Sequence, residues 1–134
     1  MALAKSETLP IRTEMDVVLV RQAVRARAIE LTFSLVDQTK VITAASELAR
    51  NTLQHGLGGE VRLESLLDGA RRGLRLVFED KGPGIPDVTK AMSDGYTTGG
   101  GLGMGLPGSK RLVNEFNIST RVGEGTTVTI TKWK

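Results

Sequence analysis

The chain has 134 residues, 40% of them hydrophobic and 25% charged, with a net charge of +3 and no cysteine. Folding of a chain this long buries about two thirds of its surface, which is enough for one domain with its own core. The sequence excludes disulfides, thiolate metal sites and membrane-spanning helices, and its arginines, interspersed with acids and without aromatic neighbours, favour an ordinary basic surface over a nucleic-acid site.

The N-terminal segment bears on location and on the first strand. The residues MALAKSETLPIRTEMD contain no apolar stretch long enough for a signal peptide. We therefore expect a cytoplasmic protein that has no membrane partner. Residues 7–13 (ETLPIRT) are predicted to form a first strand.

Two helices are predicted next. Thr13 and Ser34 each precede an aspartate by three residues, the pattern of a capping box at the start of a helix. Apolar periodicity predicts the helices over residues 14–31 and 35–54. The buried side of the first is expected to comprise Met15, Val18, Leu19, Ala23, Ala26 and Ile29. The buried side of the second is expected to comprise Val41, Ile42, Ala45, Leu48, Ala49, Thr52 and Leu53.

The second half of the chain supplies the strands that these helices need to cover. EVRLESLL and LRLVFED, interrupted by DGARRG, predict a hairpin, and ISTRV with TTVTITKW predicts a second one. A short helix over residues 87–93, a glycine-rich loop and a helix over residues 106–116 lie between the two pairs. This order predicts an α/β two-layer sandwich, with helices on one face of a mostly antiparallel sheet, formed as a single domain over residues 1–134.

One polar ridge is predicted on the second helix. Glu47, Asn51 and His55 follow one another at spacings of four, so they project along one side. Carboxylate and carboxamide oxygens suit Mg²⁺, which takes one or two protein ligands alongside substrate phosphates. Taken alone, these residues are better explained as solvated polar residues at the edge of a core helix. For His55 a helix-end position is the favoured interpretation, and its role is left open.

The stretch FEDKGPGIPD places Asp80 at the end of a strand, followed by Gly82 and Gly84. A carboxylate there can accept a hydrogen bond from an exocyclic amine such as that of adenine, and glycines let the chain approach a flat ligand. A tight turn whose glycines serve only the backbone is an equal alternative on these residues alone.

The stretch DGYTTGGGLGMGLPG, residues 94–108, could be a flexible linker or a phosphate-binding loop. It leads directly into an amphipathic helix, which favours a loop whose amides converge on an anion at a helix start. It is neither a Walker loop nor a dinucleotide-binding fingerprint, because the Gly-Lys-Ser/Thr ending and the preceding strand are missing. We expect a lid between Ile85 and Gly100, and phosphate contacts from the amides of 101–105.

Taken in order, ELARN, EDKGPG, GGGLGMGLPG and GEGTTVTI resemble the nucleotide-binding boxes of the GHKL superfamily, which includes gyrase, Hsp90 and the histidine kinases. The resemblance covers nearly the whole chain and implies the Bergerat-type ATP-binding fold. The length of the chain and the residues of its second half are most similar to those of the RsbT-type serine/threonine switch kinases of bacterial partner-switching systems. The RsbW-type anti-sigma-factor kinases are the next most similar.

The resemblance implies a role for each matching position. Asn51 matches the Mg²⁺ ligand, Glu47 the base that takes the proton from the attacking hydroxyl, and Asp80 the carboxylate that binds the adenine amine. The remaining matches are to turns and loops around ATP: Gly82, Gly84, Gly101, Leu102, Gly103, Met104, Gly105, Leu106 and Thr126. Lys110 could assist a phosphate, and a solvated lysine fits as well.

The resemblance also implies partners. No phosphoacceptor histidine helix precedes the boxes, so the acceptor is expected on another protein. The implied function is a Mg²⁺- and ATP-dependent protein serine/threonine kinase of a stress-signalling system that phosphorylates STAS-domain proteins and, once released, activates a PP2C-type phosphatase or similar regulator. The alternatives are an RsbW-like anti-sigma factor whose kinase activity releases the sigma factor, and a simple ATPase.

Overall fold

The computed structural model describes residues 2–92 and 105–134, and these form one sheet covered by helices on one face. The sheet has five strands in the order β1-β2-β3-β5-β4, and all four pairs are antiparallel. The strands are β1 (Ala2–Ile11), β2 (Gly59–Asp68), β3 (Arg71–Asp80), β4 (Glu115–Arg121) and β5 (Gly125–Trp133). The helices are α1 (Glu14–Glu30), α2 (Leu35–Gln54), α3 (Val88–Ala91) and α4 (Gly105–Arg111). The predicted two-layer α/β sandwich is confirmed.

The helix starts follow the predicted capping. The Thr13 hydroxyl accepts a hydrogen bond from the Asp16 amide, and the Asp16 carboxylate accepts one from the Thr13 amide. The Ser34 hydroxyl caps α2 by accepting from the Asp37 amide at 3.1 Å. These groups satisfy amides that have no partner inside the helix, and so they stabilise the helix starts. Both starts lie where the sequence pattern predicts them.

The predicted helix over residues 106–116 was wrong at its C-terminal end, because α4 stops at Arg111 and β4 begins at Glu115. Asn114 makes the junction: its amide donates to the Thr131 carbonyl and its side-chain oxygen accepts from the Trp133 amide at 2.7 Å. These bonds tie the chain to β5 and so favour a strand. Leu112, Val113 and Phe116 still pack against the core, which explains their helix-like spacing.

The predicted core face of α2 is confirmed, whereas that of α1 was wrong. The side of α1 that faces the sheet and α2 comprises Val17, Val20, Val24, Arg27 and Ala28. Met15, Val18, Leu19, Ala26 and Ile29 are exposed instead, and only Ala23 of the expected set is half-buried. Because α1 carries apolar residues at helical spacing on two opposite sides, periodicity could not tell which side the sheet covers.

Arg27 is the one charged residue of α1 that is fully buried. Its guanidinium donates to the Glu7 carboxylate at 2.6 Å, to the Ser65 hydroxyl at 3.1 Å and to the carbonyls of Lys5 and Leu63 at 3.4 Å. These acceptors lie on β1 and β2, so Arg27 joins α1 to the edge of the sheet. Buried charge is tolerated here because its donors are paired.

We expect Arg27→Met to lower the free energy of unfolding by about 2–4 kcal/mol, because it fills the space but leaves buried acceptors without a donor. Urea unfolding followed by circular dichroism measures the change. Arg21→Ala, on the exposed side of the same helix, is the matched control and should stay within about 0.5 kcal/mol of the parent. Equal midpoints for Arg27→Met and the parent would contradict the joining role.

The outer face of the sheet carries a cluster of ion pairs. Glu64 on β2 is buried, and its carboxylate contacts Arg75 at 2.6 Å and Arg62 at 3.2 Å. Burial alone would raise the pKa of Glu64, but the hydrogen bonds and charges of Arg75 and Arg62 outweigh it and hold the pKa below its ordinary value.

Among residues 2–92 and 105–134, no helix is long and apolar enough to cross a membrane.

Candidate functional site

A cavity of about 230 Å³ lies between α2, the ends of β3 and β5, and the segment that leads into α3. Its walls are mostly apolar, and a few polar side chains converge on it. The apolar lining residues are Leu48, Phe78, Pro83, Ile85, Pro86, Ala91, Leu106 and Val128. The remaining ones are Asn51, Thr52, His55, Gly56, Asp80, Gly84 and Thr126. An apolar cavity with few convergent polar groups is typical of a small-molecule site.

Two of the three polar ridge residues of α2 line the cavity. Asn51 is half-buried, and His55 is the C-cap of α2, as the favoured interpretation had it. Glu47 lies one turn before Asn51, is almost fully buried and is not among the lining residues. Its carboxylate contacts the Arg50 guanidinium at 3.5 Å. The ridge is therefore divided between the cavity wall and an adjacent ion pair, in which Glu47 is buried and Arg50 is half-buried.

Asp80 is fixed at the end of β3 by backbone groups from two directions. Its Oδ1 accepts from the Gly82 amide at 2.9 Å and from the Thr126 amide at 3.3 Å. No hydrogen bond to Oδ2 is found among the described residues, and Asp80 lines the cavity. One oxygen therefore holds the turn, and the other is available to a ligand that carries a donor.

Three glycines make room for this arrangement, which we call the Asp80 collar: Gly56, Gly82 and Gly125. A Cβ on Gly56 would overlap the Asp80 carboxylate, one on Gly82 would overlap the Gly56 backbone, and one on Gly125 would overlap the Asp80 carbonyl. Gly125 also has φ +121°, a backbone conformation that disfavours other residues. The collar thus depends on close backbone contact among α2, β3 and β5.

Gly82 and Gly84 were predicted either to approach a flat ligand or to serve only the turn. The space beside Gly82 is filled by Gly56, and that beside Gly84 by the backbone of Arg121 and Val122. Gly84 has φ +78° and also lines the cavity. The turn geometry therefore accounts for both glycines, and Gly84 additionally places its backbone at the ligand side.

Thr126 reaches the cavity from the start of β5. Its hydroxyl is 2.8 Å from the Thr120 hydroxyl, which also accepts from the Ile85 amide at 2.9 Å. The Thr120 hydroxyl lies 3.1 Å from the Gly125 carbonyl. This network ties β4 and β5 to the segment after the Asp80 turn, so the cavity wall is cross-linked on both sides of Asp80.

The glycine-rich loop lies partly outside the described residues. Gly101, Leu102, Gly103 and Met104 fall outside, as does the expected lid from residue 93 onward, so their predicted roles stay predictions. Gly105 and Leu106 begin α4 and are buried, and Leu106 lines the cavity. Lys110 is exposed on α4.

Several lining residues were missed at the sequence level. Leu48 and Thr52 had been assigned to the core, and Phe78, Ile85 and Val128 carried no signal beyond hydrophobicity. Gly56 had a usable signal, because glycine is the usual residue where the backbone approaches another group closely. Its actual partner, Asp80, lies 24 residues further on and could not be inferred from spacing.

The donor set limits what metal site the cavity could form. Among the described residues, no group of three or more His, Asp or Glu side chains is placed to hold a metal ion. Asn51 is a single oxygen donor in the wall. This fits Mg²⁺ only in the form in which phosphates and water supply most of the ligands.

Comparison with known proteins identifies the family to which this fold belongs. The family model described as histidine kinase-, DNA gyrase B-, and HSP90-like ATPase matches residues 36–134. The chain belongs to this family.

Its relatives narrow the class further. The chain is 49% identical over 123 residues to the serine/threonine-protein kinase RsbT of Bacillus subtilis, with 92% of each chain covered. It is 32% identical over 119 residues to an anti-sigma F factor of Anoxybacillus flavithermus, covering 84% of this chain and 80% of that one. It is accordingly an ATP-binding enzyme of the serine/threonine-protein kinase type.

A solved structure supports the fold. The RsbU and RsbW domains of Rv1364c from Mycobacterium tuberculosis match with a TM-score of 0.67 and 21% identity, over 96% of this chain and 32% of that one. At this identity the likeness concerns the fold alone.

Proposed function

We propose that the chain is a switch kinase that transfers the γ-phosphoryl group of ATP to a serine or threonine hydroxyl on a cytoplasmic partner protein. The observation that carries the proposal is the Asp80 carboxylate, which two backbone amides hold through Oδ1 and which lines the same mostly apolar cavity as Asn51. Similarity to RsbT over 92% of the chain supports it.

The adenine base fits the cavity better than a whole nucleotide does. Ligand pockets typically enclose about 300–1,000 Å³, and the described walls enclose about 230 Å³. The apolar side chains suit a flat ring, and Oδ2 of Asp80 suits its exocyclic amine. The sugar and phosphates would then extend towards Leu106 and the start of α4, where the resemblance places Gly101–Gly105.

Asn51 is proposed to bind Mg²⁺ together with the phosphates. When bound, the ion neutralises charge that develops on the transferred phosphoryl group. The carboxamide oxygen contributes one ligand, in keeping with a site that takes most of its ligands from the substrate. The Asn51 carbonyl accepts from the amides of His55 and Gly56, so the end of α2 holds this residue in place.

Glu47 is proposed to accept the proton of the attacking hydroxyl. Its carboxylate is buried one turn from Asn51, and Arg50 at 3.5 Å compensates its charge. Because phosphoryl transfer has a loose transition state, positioning and charge neutralisation should contribute more than base strength. Because Glu47 is proposed to act on the acceptor hydroxyl and does not line the cavity, its removal should slow transfer more than it weakens ATP binding.

The proposed acceptors are STAS-domain proteins, and the proposed target after release is a PP2C-type phosphatase or similar regulator. The alternative is an anti-sigma factor that holds a sigma factor until phosphorylation releases it. The 32% identity to an anti-sigma F factor favours keeping this second function. The two differ in which protein the unphosphorylated complex contains.

The test is transfer of labelled phosphate from Mg-ATP to STAS-domain proteins of the same organism, with the site located by mass spectrometry. We expect phosphoserine or phosphothreonine on one of them, and a rate about 10²–10⁴ lower for Glu47→Gln with ATP affinity nearly unchanged. Glu60→Gln, an exposed carboxylate on β2, is the control.

Three outcomes would each change the proposal, the first two by favouring an alternative function and the third by changing the role of Glu47. ATP hydrolysis that needs no protein acceptor would favour a simple ATPase. Stable capture of a sigma factor would favour the anti-sigma function. Equal transfer rates for Glu47→Gln and the parent would remove Glu47 from the role of base but leave the kinase activity standing.

A further inference from the structure

The side chain of Glu47 is enclosed by the fold without being part of the cavity wall. It is 7% exposed, and it is the one charged residue of α2 that is buried. Burial of a carboxylate is strongly unfavourable unless a partner compensates its charge. The state of Glu47 therefore depends on the cation beside it.

That cation is Arg50, one turn further along the same helix. Its Nη1 donates to Oε1 of Glu47 at 3.5 Å. Among residues 2–92 and 105–134, no second cation lies within 4.0 Å of this carboxylate, and no hydrogen bond to its Oε2 is found. One carboxylate oxygen is therefore held by the guanidinium, and the other is available to a ligand that carries a donor.

The position of Arg50 suits it to fix this orientation. Arg50 directly precedes Asn51, which lines the cavity, and its side chain is 30% exposed, so it lies nearer to solvent than Glu47 does. Since both members of the pair stand three positions apart on α2, the helix backbone sets their separation. A guanidinium is a planar fork of donors and constrains a carboxylate more strictly than a point charge does.

The pair differs from the other ion pairs at the same spacing. Arg71 with Asp68 and Arg121 with Glu124 also stand three positions apart, but both of their members are exposed. Exposed pairs contribute little, because water screens them and replaces a lost partner. Loss of Arg50 would instead leave a buried carboxylate without its compensating charge.

We propose that Arg50 is a positioning residue for phosphoryl transfer, an inference that rests on the function proposed above. It holds Glu47 through Oε1, so that Oε2 accepts the proton of the attacking hydroxyl. In this step the hydroxyl oxygen forms a bond to the γ-phosphorus of ATP, the bond from that phosphorus to the bridging oxygen breaks, and its electron pair leaves with ADP. Arg50 contacts neither ATP nor the acceptor and acts through Glu47 alone.

Arg50→Gln is expected to lower the rate of single-turnover transfer from Mg-ATP to a STAS-domain protein about 10- to 100-fold, because it removes a charge-assisted hydrogen bond. ATP affinity, measured by isothermal titration, should stay near that of the parent, since Arg50 does not line the cavity. Arg50→Lys keeps the charge without the fork and should recover part of the lost rate.

Arg62→Gln is the matched control. It removes another partly exposed arginine that contacts a buried carboxylate, that of Glu64 at 3.2 Å, but on the outer face of the sheet. This variant should transfer phosphate at the parent rate. Circular dichroism checks that each variant is folded under the assay conditions.

A double-mutant cycle with Glu47→Gln shows whether Arg50 acts through Glu47. The variant that carries both Glu47→Gln and Arg50→Gln should be no slower than Glu47→Gln alone. The same cycle is measured on ATP hydrolysis without acceptor, in which water takes the place of the hydroxyl. Arg50 is thus tested even if no STAS-domain protein accepts phosphate.

Each contrary result has a distinct meaning. A parent rate for Arg50→Gln, with slow transfer by Glu47→Gln, would overturn the positioning role and leave the proposed function standing. A further loss in the double variant would overturn it as well, because Arg50 would then act on the substrate itself. A parent rate for Glu47→Gln would remove both the base and its positioning residue.

Discussion

Asp80→Asn is expected to weaken ATP binding by about 30- to 1,000-fold, corresponding to roughly 2–4 kcal/mol. The variant keeps Oδ1, which accepts from the amides of Gly82 and Thr126, so the turn should survive. The amide nitrogen that replaces Oδ2 is a donor and would face the donor of the adenine amine. The loss therefore concerns recognition of the base rather than folding.

Isothermal titration with Mg-ATP measures this change, and thermal unfolding without nucleotide shows whether the fold is intact. Glu79→Gln is the matched control: it removes a carboxylate from the preceding residue, which does not line the cavity. If Asp80→Asn bound ATP as the parent does, the cavity would not be the adenine site.

Asn51→Ala is expected to lower the rate of phosphoryl transfer by at least about 10³-fold, because it removes the one carboxamide oxygen in the cavity wall that is proposed to bind Mg²⁺. Alanine favours a helix, and the Asn51 carbonyl can still accept from the amides of His55 and Gly56. The unfolding midpoint should therefore change little.

Single-turnover transfer in a titration of Mg²⁺ measures the effect. Gln54→Ala removes a carboxamide from the exposed side of the same helix and should transfer at the parent rate. Normal transfer by Asn51→Ala at every Mg²⁺ concentration would sink the assignment of Asn51 as the metal ligand.

Local patterns predicted the elements well because their causes are local. The capping hydroxyls of Thr13 and Ser34 act within one helical turn, and the helix starts they predict are correct. The end of α4 was not predictable in this way. It is determined by the hydrogen bonds that Asn114 makes with Thr131 and Trp133 of β5, which lie 17 and 19 positions further along the chain.

The side of α1 that enters the core is a further case of the same limit. Both sides have helical apolar spacing, and the side that enters the core includes Arg27, whose acceptors lie on β1 and β2. At the sequence level a buried arginine looks like a surface residue. The exposed side of α1 carries the larger apolar side chains, and the prediction therefore assigned the wrong side to the core.

Some of the predicted site residues lie together, but the shape of the cavity was not predictable. Asn51, Asp80, Gly84, Leu106 and Thr126 do converge on one cavity. Glu47 stands apart in an ion pair with Arg50, and the contact of Gly56 with Asp80 had no counterpart in the motif. Which backbone fills the space beside a glycine depends on tertiary contacts, so spacing alone cannot decide it.

The Asp80 collar has a consequence for synthesis of the protein. Its three glycines, Gly56, Gly82 and Gly125, surround the Asp80 carboxylate that the amides of Gly82 and Thr126 hold. A nascent chain whose residues beyond Gly125 are still inside the ribosome lacks one of the two amides that hold the carboxylate. Such a chain should not bind ATP. Once the collar has formed, bound nucleotide should stabilise the folded state by mass action.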